Sequence, residues 1–310
     1  MIEPQLIRLD RRRQVMIMEQ EQAVICITHL PIVPHRRDDG HKGDYGHALI
    51  VAGQVGMSGA ACLAGKAALR GGAGLVTVAT PISIQPTIAA YEPSYLTLGL
   101  PETHGAIGFG ALETIHRALH VATAVAIGPG LGTAEPARQI VRALYRSLPI
   151  PMIIDADGLN VLAASGDDLT RDPGAGARIM TPHPGEFARL TGETTATIQA
   201  AREKFANEFA RRHGLTVVLK GKETVVTDGY RMAINTTGNS GMATGGTGDV
   251  LTGLLTALVA QKLPSFEAAQ LAVWLHGRAG DIAAEKHSQP GLIASDLLDY
   301  LGSAWLEIGA

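Results

Sequence analysis

The stretch from His47 to Pro81, HALIVAGQVGMSGAACLAGKAALRGGAGLVTVATP, decides the fold class. It begins with a short apolar run, HALIVAG, of the kind that forms a strand buried on both faces of a parallel sheet. A run of small residues follows that favours a helix and stops at glycines, and LVTVATP is a second apolar run. A strand, a helix and a second strand in this order predict a βαβ unit.

The same alternation continues toward the C-terminus. Further apolar runs, among them ATAVAIG, PMIID, ARIMTP and LTVVLKG, are separated by amphipathic segments of helical period. Strands that alternate with helices indicate a mostly parallel central sheet covered by helices on both faces. No linker or block of charge interrupts the chain beyond His47. We therefore predict one domain over residues 35–310, preceded by an N-terminal extension over residues 1–34 that is peripheral or partly disordered.

Composition excludes several classes of protein. The 310 residues are 46% hydrophobic and 18% charged, which is typical of a globular chain with a large core. The net charge of −3, with mixed signs, gives no electrostatic footprint for nucleic acid or an anionic membrane. No apolar run is long enough to span a bilayer, and the N-terminus is a poor secretion signal. Cys26 and Cys62 belong to no metal-spaced cluster, so a cytoplasmic protein with reduced thiols is expected.

Function is expected at one edge of the sheet, because open α/β sheets bind ligands beyond the carboxyl ends of their strands. Five loops follow apolar runs or open a helix there: GPGLG (128–132), DADGLN (155–160), TPHPGEF (181–187), KGKETV (220–225) and GGTGD (245–249). They are scattered along the chain but converge on the same predicted edge. This convergence predicts a binding site more strongly than any single motif does.

The GGTGD loop matches neither common phosphate-binding pattern. A Walker loop needs Gly-Lys-Ser/Thr, which is absent from the sequence, and GPGLGT has threonine where GxGxxG needs its last glycine. What remains is a run of unhindered N–H groups at the start of the helix DVLTGLLTALVA, which suits phosphate. Asp249 lies beside such an anion and is a candidate base toward a hydroxyl that approaches it. The plain alternative is that Asp249 caps the helix.

Three other loops carry candidate polar groups. His183 stands between two prolines that fix its backbone, so it is a candidate ligand contact, although most histidines are structural. Lys220 follows the apolar run TVVL and is placed either to meet phosphates or to be solvated in a turn. Asp155 and Asp157 are candidates for Mg²⁺ or substrate hydroxyls, and one of them could instead cap the following helix.

Seven stretches, in their order along the chain, resemble the ADP/ATP-dependent NAD(P)H-hydrate dehydratases. They are HKGDYGHALIVAG, GMSGAACLAGKAALRGGAGLVTVATP, AIGPGLG, DADGLN, TPHPGEF, LKGKETVV and GNSGMATGGTGDVLTG. The resemblance extends over roughly residues 35–305, far more than a chance motif match. GGTGD alone supports only the ribokinase-like superfamily, whereas TPHPGEF and HKGDYG point to the dehydratase. The resemblance implies a ribokinase-like three-layer α/β/α fold with a mostly parallel central sheet.

The resemblance also implies an activity. The family removes a water added across the nicotinamide ring of NADH or NADPH, by phosphorylating the hydroxyl of the S-epimer and then expelling phosphate. Asp249 is then the catalytic base. The implied substrate contacts are Ala60, Gly130, Asn160, His183 and Asp249. The implied contacts to ADP or ATP are Lys220, Gly221, Lys222, Glu223, Thr224, Gly245, Gly246, Thr247 and Gly248. Mg²⁺ is expected to bridge phosphates without a dedicated protein site.

The chain departs from the family at two places. Ser240 stands where proline is expected, which should loosen a loop and leave the chemistry intact. Many bacterial relatives carry a fused epimerase domain, so a separate NAD(P)H-hydrate epimerase is expected as functional partner here. The resemblance also suggests a homo-oligomer, with a tetramer possible.

Two alternatives are weighed against the dehydratase. A vitamin-precursor kinase of the same fold would use the same loop and base but release a stable phosphorylated product. A nucleotide-sensing module would keep the glycine loops and have no need of Asp249. The sequence does not choose between ADP and ATP.

Overall fold

The computed structural model of the protein describes residues 24–33, 35–166 and 169–309. Residues 1–23 of the predicted extension therefore lie outside the described residues. Within residues 24–33 a short strand, β1 (Ile25–Cys26), is formed, and it pairs in parallel with the last strand of the sheet. This part of the predicted extension therefore forms an edge strand of the sheet.

A ten-stranded sheet forms the centre of the molecule. Beyond β1 its strands are β2 (His47–Val51), β3 (Leu75–Pro81), β4 (Leu96–Leu100), β7 (Ala124–Ile127), β8 (Met152–Ile154), β9 (Arg178–Met180), β10 (Thr216–Leu219), β11 (Thr224–Thr227) and β12 (Arg231–Asn235). Two further strands, β5 (Glu102–Thr103) and β6 (Ala106–Ile107), form a separate hairpin. The order across the large sheet is β1-β12-β11-β10-β9-β8-β7-β2-β3-β4, and only β11 pairs antiparallel with its neighbours. The predicted mostly parallel sheet is confirmed.

Helices cover both faces of this sheet. One face carries α1 (Ser58–Arg70), α2 (Gln85–Tyr91), α9 (Thr247–Ala260), α10 (Ser265–His287) and α11 (Ala294–Glu307). The other carries α3 (Ala111–Leu119), α4 (Glu135–Ser147), α5 (Asp157–Ala163), α6 (Pro184–Thr191), α7 (Thr195–Ala200) and α8 (Arg202–His213). The alternation along β2 shows why both faces need cover, since Ile50 packs into the first core and Leu49 into the second. In the described ranges, no helix has the length and apolarity required to cross a membrane.

The predicted βαβ unit is β2, α1 and β3, and its two strands pair in parallel from His47–Leu75 to Val51–Ala79. The small residues of α1 serve close helix packing. A Cβ on Gly253 of α9 would lie 2.0 Å from the carbonyl oxygen of Ala64, so only glycine lets α9 approach the α1 backbone this closely. This contact helps to set the position of α9, whose N-terminus opens at the carboxyl edge of the sheet.

An arginine is buried in the second core. Arg178, at the start of β9, is 1% exposed, and its guanidinium donates hydrogen bonds to backbone carbonyls only. The shortest reach Gly176 at 2.8 Å, and Tyr145 and Leu148 at 2.9 Å each. Burial lowers the pKa of Arg178 to about 10, so the group stays protonated at neutral pH. Its charge is balanced by the carbonyl dipoles at the C-terminal end of α4.

Candidate active site

A cleft of about 1080 Å³ opens at the carboxyl edge of the sheet. The loops after β8, β9 and β10 form one side of it, residues 235–249 form another, and α10 closes it. Its volume is in the range of small-molecule sites, which run to roughly 1,000 Å³. Four of the five loops singled out in the sequence contribute to its lining, so their predicted convergence is confirmed.

The GGTGD loop forms the N-terminus of α9 at the cleft. The helix begins at Thr247, preceded by Gly246 with a φ of 94°, a conformation that favours glycine. The Thr247 hydroxyl donates to the carbonyls of Met242 and Thr244 at 3.1 Å each and so fixes the turn. The first N–H groups of a helix have no intrahelical acceptor, and residues 245–248 line the cleft. The loop therefore presents donors and the positive end of a helix dipole to a bound anion.

His276, on α10, holds this loop from behind and was not singled out in the sequence. Its Nε2 lies 2.8 Å from the Thr247 carbonyl oxygen. Because a carbonyl only accepts, Nε2 carries the hydrogen. Burial lowers the pKa of His276 to about 4, so the ring is neutral near pH 7. The imidazole thus fixes the first turn of α9 without adding charge to the cleft.

Lys220 and Asp155 form a buried ion pair below the glycine loop. Lys220 Nζ donates to Asp155 Oδ1 at 2.8 Å, and Asp155 Oδ2 accepts from the Thr252 hydroxyl at 2.7 Å. Burial alone would lower the pKa of Lys220, but the carboxylates of Asp155 and Glu186 outweigh it and raise the pKa. A Cβ on Gly248 would lie 3.4 Å from Nζ. The ammonium therefore sits directly beside the anion-binding turn.

Asp155, which is 1% exposed, accepts one hydrogen bond on each oxygen from these two partners. A role for it toward Mg²⁺ or a substrate hydroxyl stays a prediction. Ala156, with a φ of 48°, lies in the left-handed region and separates the directions of the two acids of the DADGLN loop. Asp157 points the other way and accepts from the Gly132 amide at 2.8 Å.

Asp249 occupies the third position of α9 and lines the cleft. Burial and, next, the negative charge of Asp155 raise its pKa to about 7, while Lys220 opposes the rise. The N-cap of α9 is Gly246 and makes no side-chain cap hydrogen bond, so Asp249 lies within the first turn and is not the cap residue. A half-ionised carboxylate beside an anion hole at neutral pH is suited to general-base catalysis.

His183 caps the N-terminus of α6 at the mouth of the cleft. Its Nδ1 accepts from the amides of Gly185 and Glu186 at 3.0 and 3.2 Å. In the neutral ring the hydrogen is therefore on Nε2, which lies 3.5 Å from a Glu186 carboxylate oxygen. About half of the side chain is exposed, and it lines the cleft. The capping box therefore fixes the orientation of the His183 imidazole and leaves its Nε2–H as a donor toward a ligand.

Three of the expected substrate contacts lie outside the cleft lining. Ala60 and Gly130 adjoin each other, since a Cβ on Gly130 would lie 3.2 Å from the Ala60 Cβ. Asn160 bonds to Asp157 and Arg189 on the far side of the His183 turn. Their role as substrate contacts stays a prediction, and the structure places them on the side of His183 away from the 220–224 loop.

The loop before the anion hole is seated on α10. Its turn is fixed by Asp281, which accepts from the Gly238 amide at 2.9 Å. A Cβ on Gly277 would lie 2.3 Å from the Thr237 hydroxyl, so glycine is needed for the loop to pack this closely. Ser240, at the position where proline was expected, donates to Gln289 at 2.7 Å. This hydrogen bond connects the loop to the segment after α10, so it restrains the loop where the expected proline ring would have done so.

Residues 48–302 match the profile of a family described as NAD(P)H-hydrate dehydratase (Carb_kinase). The chain is 44% identical over 272 residues to the bifunctional NAD(P)H-hydrate repair enzyme Nnr of Moorella thermoacetica, over 87% of this chain and 51% of that protein. It is 37% identical over 291 residues to the ADP-dependent (S)-NAD(P)H-hydrate dehydratase of Neisseria meningitidis serogroup B, over 93% of this chain and 92% of that protein.

A solved structure gives the same result. The fold is similar to the ADP/ATP-dependent NAD(P)H-hydrate dehydratase of Bacillus subtilis co-crystallised with ATP and Mg²⁺, with a TM-score of 0.77 and 33% identity over 89% of this chain and 94% of that one. The chain spans about half the length of the bifunctional relatives that it matches and nearly the full length of the Neisseria protein.

Proposed function

The chain belongs to the NAD(P)H-hydrate dehydratase family, and from this premise we propose that it dehydrates the S-epimer of hydrated NADH or NADPH with ADP or ATP as co-substrate. The observation that supports the proposal best is the pairing of Asp249, whose pKa is raised to about 7, with the N–H groups of residues 245–248. A base that is partly ionised at neutral pH beside an anion hole is what transfer of a phosphoryl group to a hydroxyl requires.

The proposed first step is phosphorylation of the hydrate. Asp249 takes the proton of the added hydroxyl, whose oxygen attacks the terminal phosphorus of the nucleotide, and the shortened nucleotide leaves. The N–H groups of residues 245–248 stabilise the charge on the transferred phosphoryl group, and Lys220 adds a positive charge beside them. His183 offers its Nε2–H to the hydrate, together with the expected contacts Ala60, Gly130 and Asn160.

The second step is elimination. The carbon–oxygen bond breaks, phosphate leaves with the bonding electrons, and loss of a proton from the neighbouring ring carbon restores the double bond of the reduced nicotinamide. The nucleotide is therefore consumed as a phosphoryl donor that turns a poor leaving group, hydroxide, into a good one. A kinase of the same fold would stop after the first step.

The cleft fits an adenine nucleotide. Its base and sugar would lie between the 220–224 loop and residues 235–244, with the phosphates toward Gly248 and Lys220. Over the residues that the structure describes, no three His, Cys, Asp or Glu side chains are grouped to hold a metal. We propose that Mg²⁺ enters bound to the phosphates, where it would neutralise part of their charge. A cytoplasmic location, a homo-oligomer and a separate epimerase stay predictions from the resemblance.

Recovery of reduced-nicotinamide absorbance tests the proposal. Purified protein is mixed with hydrated NADPH, Mg²⁺ and either ADP or ATP, and parallel mixtures lack the nucleotide. We expect recovery in at least one nucleotide arm and none without nucleotide; comparing the two arms gives the preferred donor. Recovery in neither arm would refute the proposed activity.

A further inference from the structure

A chain of polar contacts leads from the GPGLG loop to an exposed arginine. Asp157 accepts from the Gly132 amide at 2.8 Å and from the Asn160 side-chain amide at 3.3 Å, and Asn160 Oδ1 accepts from Arg189 Nε at 3.1 Å. A neutral amide thus stands between the carboxylate and the guanidinium. In the described part of the chain, no partner is recorded for the other N–H groups of Arg189. Its positive charge is held in place and left available.

Arg189 lies beside the imidazole that is proposed to bind the hydrate. A Cβ on Gly185 would lie 3.0 Å from His183 Cε1 and 4.0 Å from Arg189 Nη1. Both side chains therefore approach Gly185, His183 from the N-cap of α6 and Arg189 from its second turn. A ligand that accepts a hydrogen bond from His183 Nε2–H therefore has the Arg189 guanidinium close by, on the exposed side of the site.

The charges around this position favour a cation that meets the substrate. The carboxylates of Asp155, Asp157 and Glu186 all act on Asp249, where Lys220 opposes them, and Lys222 also lines the cleft. A dinucleotide brings a diphosphate, and NADPH brings a further phosphate ester. Phosphate groups entering a cluster of carboxylates need positive charge at the entrance. The planar fork of arginine matches phosphate oxygens in a bidentate manner.

We propose that Arg189 is a specificity-determining residue that binds a phosphate group of the dinucleotide hydrate. The proposal rests on the proposed function and names a contact for the part of the substrate that does not react. Since this contact is remote from the hydroxyl, it should strengthen binding of the ground state and the transition state alike, and so act on KM more than on kcat.

The test is steady-state kinetics of Arg189→Met with NADH hydrate and with NADPH hydrate. Loss of a charge-assisted contact should raise KM about tenfold and leave kcat within about twofold. Arg189→Lys keeps the charge without the planar fork, so it should raise KM in the same direction but by less. Arg117→Met on α3 removes an exposed arginine elsewhere and is the matched control, with KM unchanged. The Kd of the nucleotide, measured directly, should be the same in all four proteins.

The two substrates distinguish the two phosphate sources. A rise of KM for both hydrates assigns Arg189 to the diphosphate, and a rise for NADPH hydrate alone assigns it to the phosphate ester. Unchanged KM for both substrates in Arg189→Met, with an active wild type, overturns the inference and leaves the proposed function standing. A kcat that falls with KM unchanged also overturns it, because that is the mark of a structural role. An inactive wild type refutes the proposed function itself.

Discussion

Asp249→Asn should lower kcat by about three orders of magnitude, within the range of about 10²–10⁴ that general-base catalysis contributes. The amide keeps the shape of the side chain and loses its ability to take the hydroxyl proton. The nucleotide Kd should stay within about twofold, because the N–H groups of residues 245–248 are untouched and asparagine is tolerated in the first helical turn. Single-turnover kinetics and direct nucleotide binding measure the two quantities separately.

The same role for Asp249 also predicts how kcat/KM depends on pH. A base works when deprotonated, and the pKa of Asp249 is raised to about 7, so kcat/KM of the wild type should rise with pH up to about 7 and then level off. The residual activity of Asp249→Asn should lack this limb. Asp39→Asn, at an exposed aspartate that precedes the HKGDYG stretch, serves as control and should retain the wild-type profile. Activity of Asp249→Asn within tenfold of the wild type would remove Asp249 from the role of base.

The second large effect is on stability. Arg178→Met should lower the free energy of unfolding by about 3–5 kcal/mol, the cost of breaking a buried charged network. Methionine keeps the apolar stem but removes every guanidinium donor from the core. The Tyr145 carbonyl then loses the donor that it has in the described structure, whereas the Leu144 and Leu148 carbonyls each keep one backbone N–H. Each buried acceptor without a partner costs about 1–3 kcal/mol, partly relieved by local rearrangement.

Chemical denaturation of Arg178→Met, Arg178→Lys and Arg117→Met measures this effect. Lysine keeps the charge with fewer and differently directed donors, so an intermediate loss is expected. Arg117 is largely exposed, and its substitution should change the unfolding free energy by no more than about 0.5 kcal/mol. A loss below about 1 kcal/mol in Arg178→Met would show that the carbonyls of the α4 terminus are satisfied without the guanidinium.

Much of the fold was predictable because its signals are local. Continuous apolar runs such as HALIVAG are typical of strands buried on both faces, and glycine stops mark the ends of the helices between them. The side on which the loops gather follows from parallel pairing alone. The edge strand Ile25–Cys26 was not predictable, because two residues carry no period and their pairing with Arg231–Met232 is decided by the rest of the sheet.

The sequence predicted where the candidate site residues lie, but it did not predict which residues they contact. His183, Lys220 and Asp249 follow strands or open a helix, so the sequence placed them correctly at one edge. Their partners come from distant segments: Thr252 is 97 residues from Asp155, and His276 is 29 residues from Thr247. A threonine inside the apolar helix DVLTGLLTALVA, three residues after Asp249, was the available signal for the first of these.

The structure also gives a candidate residue partners that the sequence did not show. Asp155, a candidate for metal or substrate hydroxyls, forms an ion pair with Lys220 and accepts a hydrogen bond from Thr252. Because Asp155 is also a main electrostatic cause of the raised pKa of Asp249, one buried carboxylate affects both the lysine proposed to bind phosphate and the proposed base. The nearness of Asp155 to both Lys220 and Asp249 is visible only in the folded structure.

If the hydroxyl oxygen leaves as part of phosphate, a heavy-oxygen label placed in the hydroxyl of the hydrate must leave with it. In a single turnover with unlabelled nucleotide, we expect the label in released orthophosphate, in equal amount to the reduced nicotinamide recovered. Label found in water, with the nucleotide acting only as an activator, would contradict phosphorylation as the route. Label retained in a stable phosphorylated product would identify a kinase instead of a dehydratase.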